Sequence, residues 1–213
     1  MKRNTTTEPR NDPTTEQKIL AAAEELFLEK GYALASTIEI ARRAGCNQAL
    51  VHYYFRTKEK LFDAIFAQKV RQFVEGLTKL DDEGLTFEQA LTRIAQSHFD
   101  ILASQPRLPI LIFNELTTNP ARIEALRAML FNTLDLRPVM RMQALLDEEI
   151  RKGNVRPTTM MDVSMTMASL NVVTFLARPI IGGVMQIPDE DYQELIQHRR
   201  KENVAIILRS LRP

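Results

Sequence analysis

The chain has 213 residues, of which 45% are hydrophobic and 26% charged, with seven glycines and a net charge of +1. This length holds one large domain or a small one joined to a medium one, and so little glycine argues against a fold rich in β turns, so helices are expected. A single cysteine, Cys46, excludes an intrachain disulfide, and the near-zero net charge taken over the whole chain points to no partner class.

Residues 1–13, MKRNTTTEPRNDP, are polar, hold two prolines and show no periodicity, so they read as a loosely ordered arm whose Lys2, Arg3 and Arg10 can reach phosphate. They lack the apolar run of a secretory signal, which makes the cytoplasm the expected compartment. Thr14 with Gln17 forms a capping box ahead of Ile19, Ala23, Leu26 and Phe27 at helical spacing, and Gly31 stops this first helix. Ser36 with Glu39 opens a second helix of two turns, with Ile40, Ala41 and Ala44 inward and Gly45 at its end. Asn47 caps the third, QALVHYYF, whose inward face is drawn through Val51, Tyr54 and Phe55.

A fourth helix runs from about residue 58 to about 79 through Leu61, Phe62, Ile65, Phe66, Lys69, Val70 and Phe73, long enough to leave one bundle and enter another. LDDEGLT is a polar break. Thr86 with Gln89 then caps a helix to about residue 104, Pro106 and Pro109 interrupt, and ILIFNEL, a segment from Pro120, and a segment from about 136 to 152 closed by Gly153 follow as helices. The last two helices span about 159–177 and 189–211. The stretch MTMASLNVVTFLARPIIGGVM, residues 165–185, is strongly apolar, yet Asn171, Arg178, Pro179 and Gly182-Gly183 break it too often for a membrane span, so no membrane is expected as partner. The expected fold class is all-α, about nine helices in all. Residues 14–60 form a three-helix unit, joined by a long helix to a second helical domain within 61–213.

Two short helices joined at a glycine-led turn make a helix-turn-helix, in which the second helix enters the DNA major groove. With Val51, Tyr54 and Phe55 inward, Asn47, Gln48, Ala49, Leu50, His52 and Tyr53 are left to the outside. The charge is placed accordingly: from Ser36 to Lys60 five bases, Arg42, Arg43, Arg56, Lys58 and Lys60, face two acids, Glu39 and Glu59. A local positive footprint suits a polyanion, and a solvated charged face has the same composition.

The stretch ILAAAEELFLEKGYALASTIEIARRAGCNQALVHYYFRTKEKLFDAI, residues 19–65, resembles the N-terminal pattern of the TetR family of transcriptional regulators. It has a helix ending at a glycine-aromatic pair, a Ser/Thr-led helix ending Ala-Gly, a recognition helix ending Tyr-Phe and a Lys-Glu-x-Leu helix start. The resemblance implies DNA contacts from Ser36, Thr37, Asn47, Gln48, Ala49, Leu50, His52, Tyr53 and Lys58. It also implies a helical C-terminal domain that dimerises and binds an effector. The family usually carries tyrosine where this chain has His52, and more often valine than Cys46, which reads as a small buried hydrophobe.

Amide side chains suit adenine, so Gln48 is the first candidate for a base reader. Ala49 and Leu50 suit thymine methyls, and Lys58, Tyr53 and Thr37 suit phosphate. His52 either donates to phosphate or stacks on a neighbour. A unit this small binds DNA as a two-fold dimer on a palindromic operator. The all-round apolar helix near 160–176 and the stripe of the last helix supply the expected homodimer face: Met161, Met165, Leu170, Val173, Val204, Ile207, Leu208 and Leu211. A small, mainly apolar effector releasing the DNA is expected among Phe66, Phe73, His98, Phe99, Leu102, Phe113, Asn114, Met140 and Met142, residues that serve equally as plain core. No phosphate loop, metal spacing or nucleophile motif is found, so neither an enzyme nor a cofactor is expected. The leading expectation is a homodimeric repressor. An all-helical ligand-binding or protein-interaction module with a vestigial helix-turn-helix is the alternative.

Overall fold

The computed structural model describes residues 14–78, 84–133 and 137–213, apart from the side chains of residues 73, 74, 76–78 and 129–133. The arm expected over residues 1–13 lies outside the described residues. Among those described, every regular element is helical, and the chain divides into one unit up to Phe66 and another from Ala67 to Pro213.

The N-terminal unit begins with α1 (Thr15–Leu34), whose Thr14–Gln17 capping box closes in both directions. Gly31 adopts φ 80°, ψ 169°, a conformation L side chains rarely take, and the helical path breaks there as the glycine predicts. In α2 (Thr37–Ala44) the Ser36 hydroxyl accepts from the Glu39 N–H, and Gly45 ends the helix in the left-handed region with Cys46 N–H reaching back to the Ala41 carbonyl at 3.0 Å. The Glu39 side chain turns to the Ser36 hydroxyl and to the Lys30 ammonium at 2.7 Å, and those bonds hold its carboxyl below the usual range. Asn47 caps α3 (Gln48–Phe55), and α4 (Lys58–Thr78) follows.

Ile19, Ala23, Leu26, Phe27, Ile40, Ala41, Val51, Leu61 and Phe62 are buried and form the core of this unit. Its aromatic centre is Phe27, Tyr32 and Phe62, with ring centroids 5.0 to 5.9 Å apart. The inward face expected for α3 is narrower than its spacing suggests. Val51 is buried, but Phe55 is only half-buried and Tyr54 is 39% exposed, its ring stacked edge-on with Tyr53.

The C-terminal unit is built around α5 (Phe87–Ser104), α9 (Met160–Leu176) and α11 (Asp189–Ser210). Around them lie α6 (Leu108–Thr118), α7 (Pro120–Thr133), α8 (Arg137–Arg151) and α10 (Arg178–Met185). The last of these was not expected: Pro179 and the glycine pair read as a break, whereas the proline stands in the first turn, where its missing N–H costs nothing. The described residues form eleven helices against about nine expected. No single described helix is long and apolar enough to cross a membrane; α9 and α10 reach that composition only together and are bent by 47°.

Two apolar clusters fill the unit. One gathers Phe87, Leu91, Met142, Leu146, Val163, Val204, Ile207 and Leu211, and the other Phe99, Leu102, Phe175, Tyr192 and Ile196. Between these sets in sequence lies a buried polar group that joins the three central helices. Asn171 Nδ2 donates to the Ala95 carbonyl and to His98 Nδ1, both at 3.0 Å, and Asn203 Nδ2 donates to Asn171 Oδ1 at 2.9 Å. Charged pairs reinforce the same packing, with Arg200 bidentate to Asp100 at 2.6 and 2.7 Å and a buried Arg122–Glu115 pair linking α7 to α6.

Burial lowers the His98 pKa from 6.5 to about 4, so the folded chain holds this ring neutral. The unfolded chain takes up a proton near 6.5 that the folded one refuses until near 4, so stability is complete above that range and falls as pH decreases through it. The slope reaches up to about 1.4 kcal/mol per pH unit. Denaturant midpoints at pH 7 and pH 5 should therefore differ more in the wild type than in His98→Phe. Equal differences would remove His98 as the source.

Candidate nucleic-acid interface

The surface of the N-terminal unit that faces away from its core is made by the start of α2 and the outer side of α3. Gln48, Ala49, His52 and Tyr53 are exposed, Leu50 and Thr37 half-buried. Local chemistry presets several of these groups. Asn47 Oδ1 accepts the Leu50 N–H at 3.0 Å, so the Asn47 side chain is committed to capping, as is the Ser36 hydroxyl. Gln48 Nε2 donates to Thr37 Oγ1 at 2.9 Å and lies 3.5 Å from His52 Nε2, and His52 Nδ1 lies 3.1 Å from the Arg56 carbonyl. Thr37, Gln48, His52 and Arg56 thus form one connected row across the helix-turn-helix.

Two basic residues of the expected footprint are spent inside the unit. Arg43 pairs bidentately with Glu29 at 2.8 Å, which binds α2 to α1. Lys58 Nζ donates to the carbonyls of Tyr32 at 2.9 Å, Ala35 at 3.0 Å and Ala33 at 3.5 Å, and sits 4.3 Å from the centre of the Tyr32 ring. An ammonium has three protons, and here its hydrogen-bond partners are carbonyls at the end of α1, so Lys58 clamps the α1–α2 junction. Arg42, Arg56 and Lys60 remain exposed and carry the positive face. Sequence reasoning passed over Arg56 as anything but a charge. It also passed over Ile38, an exposed apolar residue beside Thr37.

Residues 19–65 match the family model for bacterial regulatory proteins of the tetR family. The chain's helix-turn-helix unit is that of the TetR family. Among relatives of this regulator, the fatty acid metabolism regulator protein of Bacillus subtilis is 26% identical over 140 residues, 65% of this chain and 70% of that one. The transcriptional activator FasR of Mycolicibacterium smegmatis is 30% identical over 104 residues, 48% of each chain. The fold is shared with the transcriptional regulator FadR from Bacillus subtilis, solved in complex with stearoyl-CoA, at a TM-score of 0.64 and 21% identity, over 91% of this chain and 98% of that one. This regulator is accordingly a DNA-binding transcription factor with an N-terminal helix-turn-helix, and the relatives are regulators rather than enzymes.

The remaining expected sites fall out unevenly. His98, Phe99, Leu102 and Met142 are buried in the C-terminal unit, whereas Phe113 and Met140, 63% and 70% exposed, and Asn114 lie on its surface. Their helices, α6 and α8, turn other faces inward: Leu108, Leu111 and Glu115 on the first, Met142 and Leu146 on the second. Phe66 stacks on Phe62 within the N-terminal unit, and the Phe73 side chain lies outside the described residues. Of the expected dimer face, Met161, Met165 and Val173 are exposed. Val204, Ile207 and Leu211 are buried in the chain's own core, and Leu170 and Leu208 pack against it, because α11 packs on α9 and α5.

Proposed function

We propose that this regulator binds a two-fold symmetric DNA site as a homodimeric repressor and leaves it when a small, mainly apolar molecule occupies its C-terminal unit. The observation that carries the reading is the exposed row of Thr37, Gln48 and His52 on α2 and α3, polar side chains held in register on a surface-facing helix. Arg42, Arg56 and Lys60 supply phosphate-binding charge around it. Selection from randomised duplex DNA should yield a palindromic motif. Gln48→Ala should then lose discrimination at one position of each half-site by roughly 5- to 100-fold. Binding without sequence preference, unaltered in Gln48→Ala, would sink the assignment.

Dimerisation is supported by an apolar row that the chain's own core leaves uncovered. Met161, Met165 and Val173 follow one face of α9, opposite the buried Val163, Asn171 and Phe175. Ile180, Val184 and Met185 of α10 are also exposed. An isologous pairing of two such faces buries the row. Met165→Glu, at a position 60% exposed in the single chain, should leave the secondary structure intact and shift the molecule to monomer in sedimentation. A dimer unchanged in Met165→Glu would move the interface elsewhere.

A long-chain acyl thioester is the effector class to test first, since the Bacillus subtilis regulator of the same fold holds stearoyl-CoA. Release of the selected duplex by stearoyl-CoA supports this class. Retention at saturating concentration rejects it.

A further inference from the structure

The side chain that reads a base in this regulator is preset as a hydrogen-bond acceptor by a relay of three other residues. The relay starts at Arg56, which ends α3 with φ 63°, ψ −52° and with the Thr57 N–H bonded to the Phe55 carbonyl at 2.6 Å, a γ-turn of the rare, strained hand. That turn closes Arg56 on His52 twice: the Arg56 N–H donates to the His52 carbonyl at 2.9 Å, and the Arg56 carbonyl lies 3.1 Å from His52 Nδ1. A carbonyl can only accept, so the ring proton resides on Nδ1 and Nε2 of the neutral ring is left as an acceptor. The group facing Nε2 at 3.5 Å must then be the Gln48 amide nitrogen rather than its oxygen. Its second N–H goes to Thr37 Oγ1 at 2.9 Å.

Both Gln48 N–H groups therefore point back onto the protein, and Oε1 is left with no hydrogen-bond partner among the described residues, on an exposed side chain. We infer that Gln48 reads DNA through Oε1 alone and selects an exocyclic amino group in the major groove, the 6-amino of adenine or the 4-amino of cytosine. Bidentate recognition of adenine, which needs an N–H for N7 as well, would require Gln48 to give up its contact with Thr37 or with His52. Guanine and thymine offer only acceptors at the corresponding edge and are rejected by the oxygen. Thr37, His52 and the Arg56 carbonyl are positioning groups in this scheme: they set which end of the amide faces the groove.

The inference rests on the recognition-helix assignment proposed above, and the test separates the two. The duplex recovered by selection is titrated with the full-length wild-type protein, and the position whose preference disappears in Gln48→Ala is identified. Adenine or cytosine is expected there. Where it is adenine, 7-deazaadenine should bind within about twofold of the parent duplex, whereas purine lacking the 6-amino group should bind about 5- to 10-fold more weakly, the worth of one hydrogen bond. Thr37→Val and His52→Phe should each flatten the preference at that position while leaving the other positions of the motif intact, an outcome that removal of a phosphate contact would not produce. Equal losses with 7-deazaadenine and purine, or, at a G·C pair, no loss when cytosine is replaced by 2-pyrimidinone lacking the 4-amino group, overturns the inference and leaves the recognition helix standing. The absence of any selected motif overturns both.

Discussion

Replacing Asn171 by leucine should lower the stability of the C-terminal unit by about 4 kcal/mol, since each buried polar group left without a partner costs roughly 1 to 3 kcal/mol. The Asn171 amide bonds the Ala95 carbonyl, His98 and Asn203, which belong to α5 and α11, while Asn171 itself belongs to α9. Asn203 is fully buried and its Oδ1 has no hydrogen-bond partner, so the leucine also strips away the bond that its Nδ2 makes to Asn171. Leucine is bulkier than asparagine, so no cavity forms, and overpacking adds to the loss of the hydrogen bonds. The triple substitution His98→Leu, Asn171→Leu and Asn203→Leu should recover more than half of the loss, because an all-apolar core has no orphaned groups to desolvate. Denaturant unfolding measures both. A single Asn171→Leu variant within about 1 kcal/mol of wild type, the worth of one ordinary hydrogen bond, would show that water reaches these groups.

Lys58→Met should destabilise the N-terminal unit by about 3 kcal/mol, counting two good charge-assisted hydrogen bonds at roughly 1.5 to 3 kcal/mol each and discounting for the partly exposed setting. The Tyr32 carbonyl it ties down lies in the last turn of α1, past the break at Gly31, and the Ala35 carbonyl at the C-cap of that helix. Operator and non-specific duplex should lose affinity together, in step with the lowered unfolding transition, and the salt dependence of the folded protein should stay as in wild type. By contrast, Arg42→Ala or Lys60→Ala should leave the transition in place and reduce the slope of log affinity against log salt by about 0.9 for each phosphate no longer neutralised. If Lys58→Met instead keeps the wild-type transition and shows that reduced slope, Lys58 binds phosphate and the carbonyl clamp opens on DNA.

The contrast between these residues marks what a sequence can carry. Caps and stops are chemistry between positions a few residues apart, so Thr14 with Gln17, Thr86 with Gln89, Asn47 and the left-handed Gly45 and Gly31 were all legible, and with them the helix-turn-helix and its outer face. The stripe Val204, Ile207, Leu211 was legible as apolar and helical, but not its destination, because periodicity states that a face must be covered without saying by what.

Asn171 shows the limit most sharply. In the sequence it is a polar interruption in an apolar run; in the fold it is the junction of three helices, bonded to partners 73 and 32 residues away along the chain. Lys58 likewise reads as surface charge until the turn 23 to 26 residues earlier folds back to present its carbonyls. By itself, then, the sequence determined most of the helices, their caps and the helix-turn-helix motif, which follow from local hydrogen bonding and spacing. Only the tertiary structure decided which polar groups are already satisfied within the protein and which remain to meet DNA, because that depends on which distant carbonyls, amides and rings converge on each side chain.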